Sequence, residues 1–439
     1  MKATFKGGIH PLEEKNLVQD KAIVEMPLSP LYVLPIQQHV GAPAKPIVRL
    51  GDEVKKGQQL TEPAGYVSAS IHAPTSGKVK EIASKIHPNT GLLSPCVVIE
   101  SDGEDAWFEG LPLERDPFVQ AKENLLSMIQ SAGIVGLGGA TFPSHVKLSP
   151  PKDKPIHTFI VNGAECEPYL AADHRLMVEH PGDVIAGARV VMSILGLKHA
   201  VIAIEENKPD AISAIKEKVP PEIRVESLPV KYPQGAEKLL IKALTGKEVP
   251  SGGLPMDVGC LVHNAATCAA IWDAVSHGIP VIERVVSVSG HGIVEPKNVR
   301  VRIGTLLKEL IAFCGGFKDH AKIIFGGPMM GVAQYSPETP IIKGTSGIVI
   351  LTQDEVERSS YSACIACGRC VDLCPMQINP SMLSRLGERT MWKKALKFNL
   401  LDCIECGVCA YICPANRPIT HFIRHLKVLS REANAKGIS

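Results

Sequence analysis

"GLGGATFPSHVK", residues Gly136 to Lys147, has the look of a nucleotide-binding loop, and what it holds decides how the chain around it is read. Thr141 stands where a dinucleotide fingerprint places its third glycine, and no Gly-Lys-Ser/Thr follows as in a phosphate-loop NTPase. The segment before it, "PFVQAKENLLSMIQSAG", is helical by period and stops at Gly133. After it the chain alternates. "HTFIV" (157–161) and "HAVIAI" (199–204) read as short apolar strands, and "PGDVIAGARVVMSILG", "KPDAISAIKEKV", "GAEKLLIKALTG" and "AATCAAIWDAVSHG" as helices. Such alternation predicts an open, Rossmann-like α/β sheet that takes ligands at the carboxyl ends of its strands.

Polar groups fall at those ends. "VNGAECEP" (161–168) places Asn162, Glu165 and Glu167 in a loop, and "VHNAAT" (262–267) puts Asn264 at a helix cap with Thr267 just inside. Taken singly these are ordinary turn and capping residues. Together with the glycine loop they predict a cofactor pocket.

Thirteen cysteines divide unevenly along the 439 residues. Five are scattered (Cys96, Cys166, Cys260, Cys268, Cys314), and eight form two runs, "CIACGRCVDLCP" and "CIECGVCAYICP". Each run is C-x2-C-x2-C-x3-C-P, in which three thiolates bind one cubane and the fourth ligates the neighbouring one. By that crossing rule Cys364, Cys367, Cys370 and Cys413 hold one [4Fe-4S] cluster, and Cys403, Cys406, Cys409 and Cys374 hold the other. Structural zinc is the competing reading, but it takes four ligands per site and has no use for a third cysteine two residues on. Asn379 and Pro380 open a helix between the runs, and two amphipathic stretches broken near Gly387 predict a helix-padded ferredoxin domain. After Pro414, Phe422, Leu426 and Leu429 form a stripe that predicts a last helix packed on the cluster domain, with Arg424, Lys427 and Arg431 on a solvated face.

Between these blocks, "RVVSVSG", "NVRVRIG", "TLLKELIAFCGG" and "KIIFGG" give strand, strand, helix, strand, which predicts a small β-grasp-like domain. A Pro, Gly and Ser-rich stretch, Ser336 to Gly347, then reads as a linker. At the front, "VRLGDEVKKGQQL" and "IHAPTSGKVKEI" look like the halves of a biotinyl or lipoyl barrel-sandwich. Its hairpin segment, "YVSASIHAP" (66–74), lacks the lysine that would carry a swinging cofactor, and His39 and His72 read as packing or turn histidines. The predicted domains are thus 1–115 (barrel-sandwich), 116–280 (cofactor-binding α/β), 281–335 (β-grasp-like) and 350–439 (two-cluster ferredoxin).

With 47 basic against 45 acidic residues, charge gives no reason to expect a nucleic-acid partner. No run of about 18 apolar residues occurs, and "MKATFKGGIHP" has no signal-peptide core, so a soluble or peripheral protein is expected.

In their order, "GGIHP", "QHVGAPAKP", "GLGGATFPSHVKL", "VNGAECEP" and the two cysteine runs resemble the RnfC family, the peripheral NADH-side subunits of Rnf electron-transport complexes. The core is also similar to the flavin-bearing subunit of NADH:quinone oxidoreductase. That resemblance implies that the loop holds FMN, with Gly136, Gly138, Gly139 and Ala140 lining it and Phe142 and Lys147 following. It places Asn162, Glu165 and Glu167 beside the isoalloxazine and nicotinamide, Glu237 at NADH, and Asn264 and Thr267 at the FMN phosphate. Ala164, Ala236 and His145 depart from the respiratory pattern, where an acid, a glutamate and a glycine are found.

The resemblance further implies electron exchange between NAD(H) and a membrane-bound complex on the cytoplasmic face of the inner membrane. Its partners would include an iron-sulfur subunit and, indirectly, ferredoxin, with ion translocation carried out by other subunits. No catalytic acid or base is expected, since hydride passes directly between the two rings. A cobalamin reductase of the propanediol-utilisation type and a non-catalytic electron wire are the rival readings.

Overall fold

A computed structural model describes residues 4–356 and 360–435. Among these residues no helix is long and apolar enough to cross a membrane.

The chain opens with β1 (Ile23–Glu25), followed by β2 (Leu31–Pro35), β3 (Lys45–Pro46), β4 (Glu53–Val54), β5 (Thr61–Glu62), β6 (Gly77–Ile86) and β7 (Leu93–Ser101). Strands β2-β7-β6-β4 make one sheet and β3-β5 a second, antiparallel pair. Leu34, Leu60, Ile71, Val79 and Ile99 fill the space enclosed, as a barrel-sandwich requires.

Next come α1 (Lys122–Ser131), α2 (Ser144–Lys147), β8 (Thr158–Gly163), α3 (Ala172–Glu179), α4 (Pro181–Leu195), β9 (Ala200–Glu205), α5 (Pro209–Lys218), β10 (Ile223–Leu228), α6 (Glu237–Thr245), β11 (Cys260–Asn264) and α7 (Ala265–Trp272). The four strands are parallel in the order β10-β9-β8-β11. Buried runs such as Phe159–Val161 and Ile202–Ile204 are apolar on both faces because helices cover the sheet. α4 begins at Pro181 and ends at Gly196 in a left-handed conformation, the start and stop chemistry that its sequence carries.

The third module holds β12 (Glu283–Ser289), β13 (Lys297–Arg302), α8 (Leu307–Phe313), β14 (Lys322–Phe325), β15 (Val332–Gln334) and β16 (Gly347–Leu351). Its sheet runs β1-β13-β12-β16-β14-β15. The edge strand β1 comes from the start of the chain, and β16 lies in the middle. The stretch 336–347 is accordingly no free linker. Thr339 to Lys343 are buried, and the Lys343 ammonium donates to the carbonyls of Ser70 and Gly133 at 2.6 and 2.7 Å, tying three modules at one point. Burial without a carboxylate partner pulls this lysine down to about 7.

The last module contains α9 (Arg369–Asp372), α10 (Pro380–Gly387), α11 (Trp392–Leu396), α12 (Val408–Tyr411) and α13 (Ile419–Ala435). Asn379 caps α10 by accepting from Met382 N at 3.0 Å. α13 packs on the cluster domain as its stripe predicts, but through Ile419, Ile423 and Leu426. Lys427 is not on a solvated face: it is buried and donates to Cys403 O and to Glu405.

Candidate functional site

The glycine loop lies between α1 and α2, and its own backbone closes it. Gly136 N donates to Phe142 O at 2.9 Å and Thr141 N donates back to Gly136 O at 3.1 Å. The segment Gly138–Ala140 is exposed. Gly139 has φ +101°, which side chains rarely adopt, and a Cβ there would meet nothing within 4 Å. A Cβ on Gly138 would come within 3.2 Å of the Asn264 side chain. The backbone is therefore bare toward solvent yet close to the α7 terminus, the shape of a cradle for a flat ligand with a phosphate.

Tertiary contacts fix the loop from behind. Leu137 N donates to the Thr267 hydroxyl at 2.8 Å, and Leu137 O accepts from the buried Arg284 at 3.0 Å. Asn264 caps α7 through Thr267 N, and its amide donates to Asp173. Lys147 reaches across to Glu237 and to Val262 O, both at 2.5 Å. Asn162 donates to Gly235 O at 2.9 Å and holds Ala164 N at 3.0 Å, joining the ends of β8 and the α6 approach. Burial, reinforced by nearby Glu165, pushes Asp173 up to about 7.

Two of the expected pocket acids are engaged elsewhere. Glu165 accepts from Asp173 N and His174 N, both at 3.1 Å, and so caps α3. Glu167 accepts from Met329 N and Met330 N at 3.1 and 3.0 Å, so it binds the loop after β14. Burial pushes Glu167 up to about 7. His145, where glycine stands in the respiratory pattern, is buried under the barrel-sandwich hairpin, its Nε2 2.9 Å from Tyr66 O.

The eight clustered cysteines gather into two hollows. One is lined by Cys364, Cys367, Cys370 and Cys413, with about 400 Å³ of unfilled space that includes open solvent. The other is lined by Cys374, Cys403, Cys406 and Cys409, with about 330 Å³. In each, three thiols of one run meet the last thiol of the other run. Four thiols thus converge on each hollow, from two separated stretches of the chain. That is the donor arrangement a cubane needs. The two runs also share a backbone, with left-handed Ala366 and Glu405, Gly368 and Gly407, Gln377 and Asn416 at matching places. Burial pushes the Cys406 thiol up to about 12 and raises Cys370, Cys374, Cys403 and Cys409 as well. Such thiols give up their protons to a metal centre, not to water.

Sequence reasoning missed Asp173, Arg284, Lys343 and Tyr232. A signal existed for Arg284 alone, a charge set among the apolar residues of β12.

Comparison with known proteins assigns each module. The Nuo51 FMN-binding domain matches residues 129–273, the RnfC barrel sandwich hybrid domain 3–104, the SLBB domain 285–333 and the 4Fe-4S dicluster domain 357–414. A subunit of the proton-translocating ferredoxin:NAD(+) oxidoreductase complex of Clostridium ljungdahlii is 52% identical, over 99% of this chain and 96% of the relative. Its counterpart in the Na(+)-translocating complex of Acetobacterium woodii is 44% identical over 97% of the chain and 96% of its own length. The corresponding subunit of the ion-translocating oxidoreductase complex of Rhodobacter capsulatus is also 44% identical, over 97% and 82%. Among solved structures, an NAD+-reducing [NiFe]-hydrogenase in the H2-reduced state shares the fold at TM-score 0.51 and 18% identity, covering 74% of this chain and 68% of that one.

Proposed function

The chain belongs to the RnfC family, whose members are subunits of the ion-translocating ferredoxin:NAD(+) oxidoreductase complexes, and from that premise we propose how its residues divide the work. It is an electron-transfer subunit of a membrane-associated complex, working with FMN and two [4Fe-4S] clusters, with NAD(H) as substrate. As a peripheral subunit it would lie on the cytoplasmic face of the membrane and pass electrons to or from an iron-sulfur partner subunit. The relatives favour this reading over a cobalamin reductase.

The observation that supports it best is the bare Gly138–Ala140 backbone beside the α7 cap, in the same chain as two four-thiol hollows. Bound FMN would supply exchange between a hydride carrier, which gives electrons in pairs, and clusters, which take them singly. This chain's own part is to bind and orient. Gly136, Gly138, Gly139 and Ala140 offer backbone to the flavin, with Phe142 after them, while the Asn264 cap and Thr267 hold the start of α7 at the phosphate. Lys147 brings a cation to the pocket and its partner Glu237 an acid for NAD(H). Asn162 fixes the floor. Glu165 and Glu167 act from beneath, as the supports of α3 and of the loop after β14. The cysteines of the two hollows ligate the clusters.

Protein purified without oxygen should release noncovalent FMN on heating and carry two cubanes' worth of iron and sulfide, and NADH should bleach its flavin in stopped flow. Gly138→Trp should lose the FMN while keeping its iron. Full flavin retention by that variant would overturn the placement of the loop.

A further inference from the structure

The hollow of Cys374, Cys403, Cys406 and Cys409 is built into the flavin-side module, and Tyr232 is the side chain at the seam. It follows β10 and is 2% exposed. Its backbone is clamped to the N-terminal strap, with Tyr232 N to Ile9 O and Ile9 N to Tyr232 O both at 2.9 Å. The next strap residue, Gly8, donates to Leu373 O at 2.9 Å, beside the ligand Cys374. The phenol itself reaches the other ligand loop: Tyr232 OH donates to Cys406 O at 2.7 Å and lies 3.3 Å from Glu167 Oε1. Glu167 closes the loop that begins at Asn162 of the flavin pocket. Cys166, Met329, Leu373 and Ile404 pack round this seam. Among the described residues no hydrogen bond to the α/β module is seen at the cysteines of the other hollow, where Cys367 and Ile365 are exposed.

We infer that Tyr232 is a positioning residue that joins the flavin pocket to one of the two cluster sites, that of Cys374, Cys403, Cys406 and Cys409, by holding the Cys406 backbone with its phenol proton. The inference rests on the function proposed above and specifies which cluster stands next to the flavin. A donor hydrogen held on the carbonyl of a ligating residue puts partial positive charge beside the cluster and so favours its more negative, reduced form. Removing that donor makes the cluster harder to reduce. The other cluster, held by the outer hollow, has no reason to change.

The test is Tyr232→Phe, which keeps the ring and the packing. The anaerobic holoprotein is titrated to successive potentials and its clusters are followed by electron paramagnetic resonance, with flavin bleaching by NADH recorded on the same sample. The expected result is a three- to tenfold shift of one cluster's reduction equilibrium toward the oxidised form, the other cluster unmoved, bleaching unchanged and transfer from flavin to the first cluster slowed several-fold. Unmoved equilibria for both clusters with an unchanged transfer rate would overturn the inference, as would equal shifts in both. Should Tyr232→Phe lose its iron, 3,5-difluorotyrosine at position 232 keeps the shape and donates more strongly. It should move the same equilibrium toward the reduced form, and a shift the other way, or none, would overturn the inference. Failure of NADH to bleach the wild-type flavin would instead count against the proposed function, so the two can be told apart.

Discussion

Two runs of twelve residues with the same cysteine spacing fold to the same local backbone and end in unlike places. The run from Cys403 gives three thiols to the enclosed site, so called because Tyr232 and Lys427 hold its cysteine backbone and Met329 and the N-terminal strap pack beside it. The run from Cys364 gives three to the open site, so called because the residues around it are exposed: Cys367 is exposed, Ile365 is 66% exposed and Tyr411, beside Cys413, is 55% exposed. Spacing, then, decides what is ligated, and surroundings decide where in an electron path the ligated centre stands. On the inference drawn above, the enclosed site would be the one next to the flavin, which leaves the open site for a partner.

The largest effect that would break this comparison comes from deleting a ligand on each side. Cys406→Ser and Cys367→Ser should each lose about half of the iron, because each cubane needs all four thiolates. Their consequences should differ. In Cys367→Ser, NADH should still reduce the remaining cluster at an undiminished rate, whereas in Cys406→Ser the remaining cluster should be cut off from NADH although the flavin still bleaches. Rapid-freeze electron paramagnetic resonance reads both, and the reverse pattern would invert the order of the two sites.

A smaller, sharper test uses the paired glycines. Gly368 and Gly407 have φ +79° and +81°, so alanine at either costs about 1 kcal/mol of backbone strain. At Gly368 the new Cβ would meet only Asp372 Oδ2, at 3.9 Å, but at Gly407 it would lie 2.6 Å from Met329 O. Overpacking against backbone adds about 1–3 kcal/mol. Gly407→Ala should thus release iron to a chelator on warming at a clearly lower temperature than Gly368→Ala. Equal temperatures would mean that the Met329 loop does not brace the enclosed site.

The same contrast shows how far sequence reading reaches. Cluster ligation is written locally: cysteines, prolines and turn glycines fall within twelve residues, and the Asn379 cap and α4 with its terminal Gly196 are equally local. The four architectures were legible for the same reason, since strand–helix alternation, a strand-strand-helix-strand order, two barrel half-motifs and cysteine spacing each lie in short stretches of chain. What escaped depends on partners far along the chain. Lys343 looks like linker until Ser70 and Gly133, 273 and 210 residues away, supply its acceptors. Lys427 looks solvated until Cys403 O accepts from it, and Tyr232 is an unremarked aromatic until Cys406 O, 174 residues on, accepts a hydrogen bond from its phenol. The glycine loop stands out in the sequence, but nothing there shows that Glu165 and Glu167, a few residues after Asn162, hydrogen-bond to α3 and to Met329. No period or spacing records where a loop side chain turns.

The mildest test concerns pH, where the two sites should respond in different windows. Beside the enclosed site, burial raises Glu167 from 4.5 to about 7, so between those values the folded protein holds a proton that the unfolded chain has lost. Its contribution is complete below about pH 4.5, declines as pH rises and is gone above about 7. Since Glu167 is only partly enclosed and keeps two backbone donors, the change should amount to about 1–2 kcal/mol at most. Beside the open site the carboxylate is Glu388, which Arg417 holds below its ordinary value through a hydrogen bond. Its contribution is present above pH 4.5 and fades only as pH falls further. Raising pH from 4.5 to 7 should therefore speed hydrogen exchange at the Met329 and Met330 amides, after correction for intrinsic rates, and leave the Arg417 neighbourhood flat. Glu167→Gln, which titrates nowhere in this window, should abolish the slope at Met329 and Met330. If the slope persists in that variant, another group sets the pH response of the seam and Glu167 is no part of the difference between the two sites.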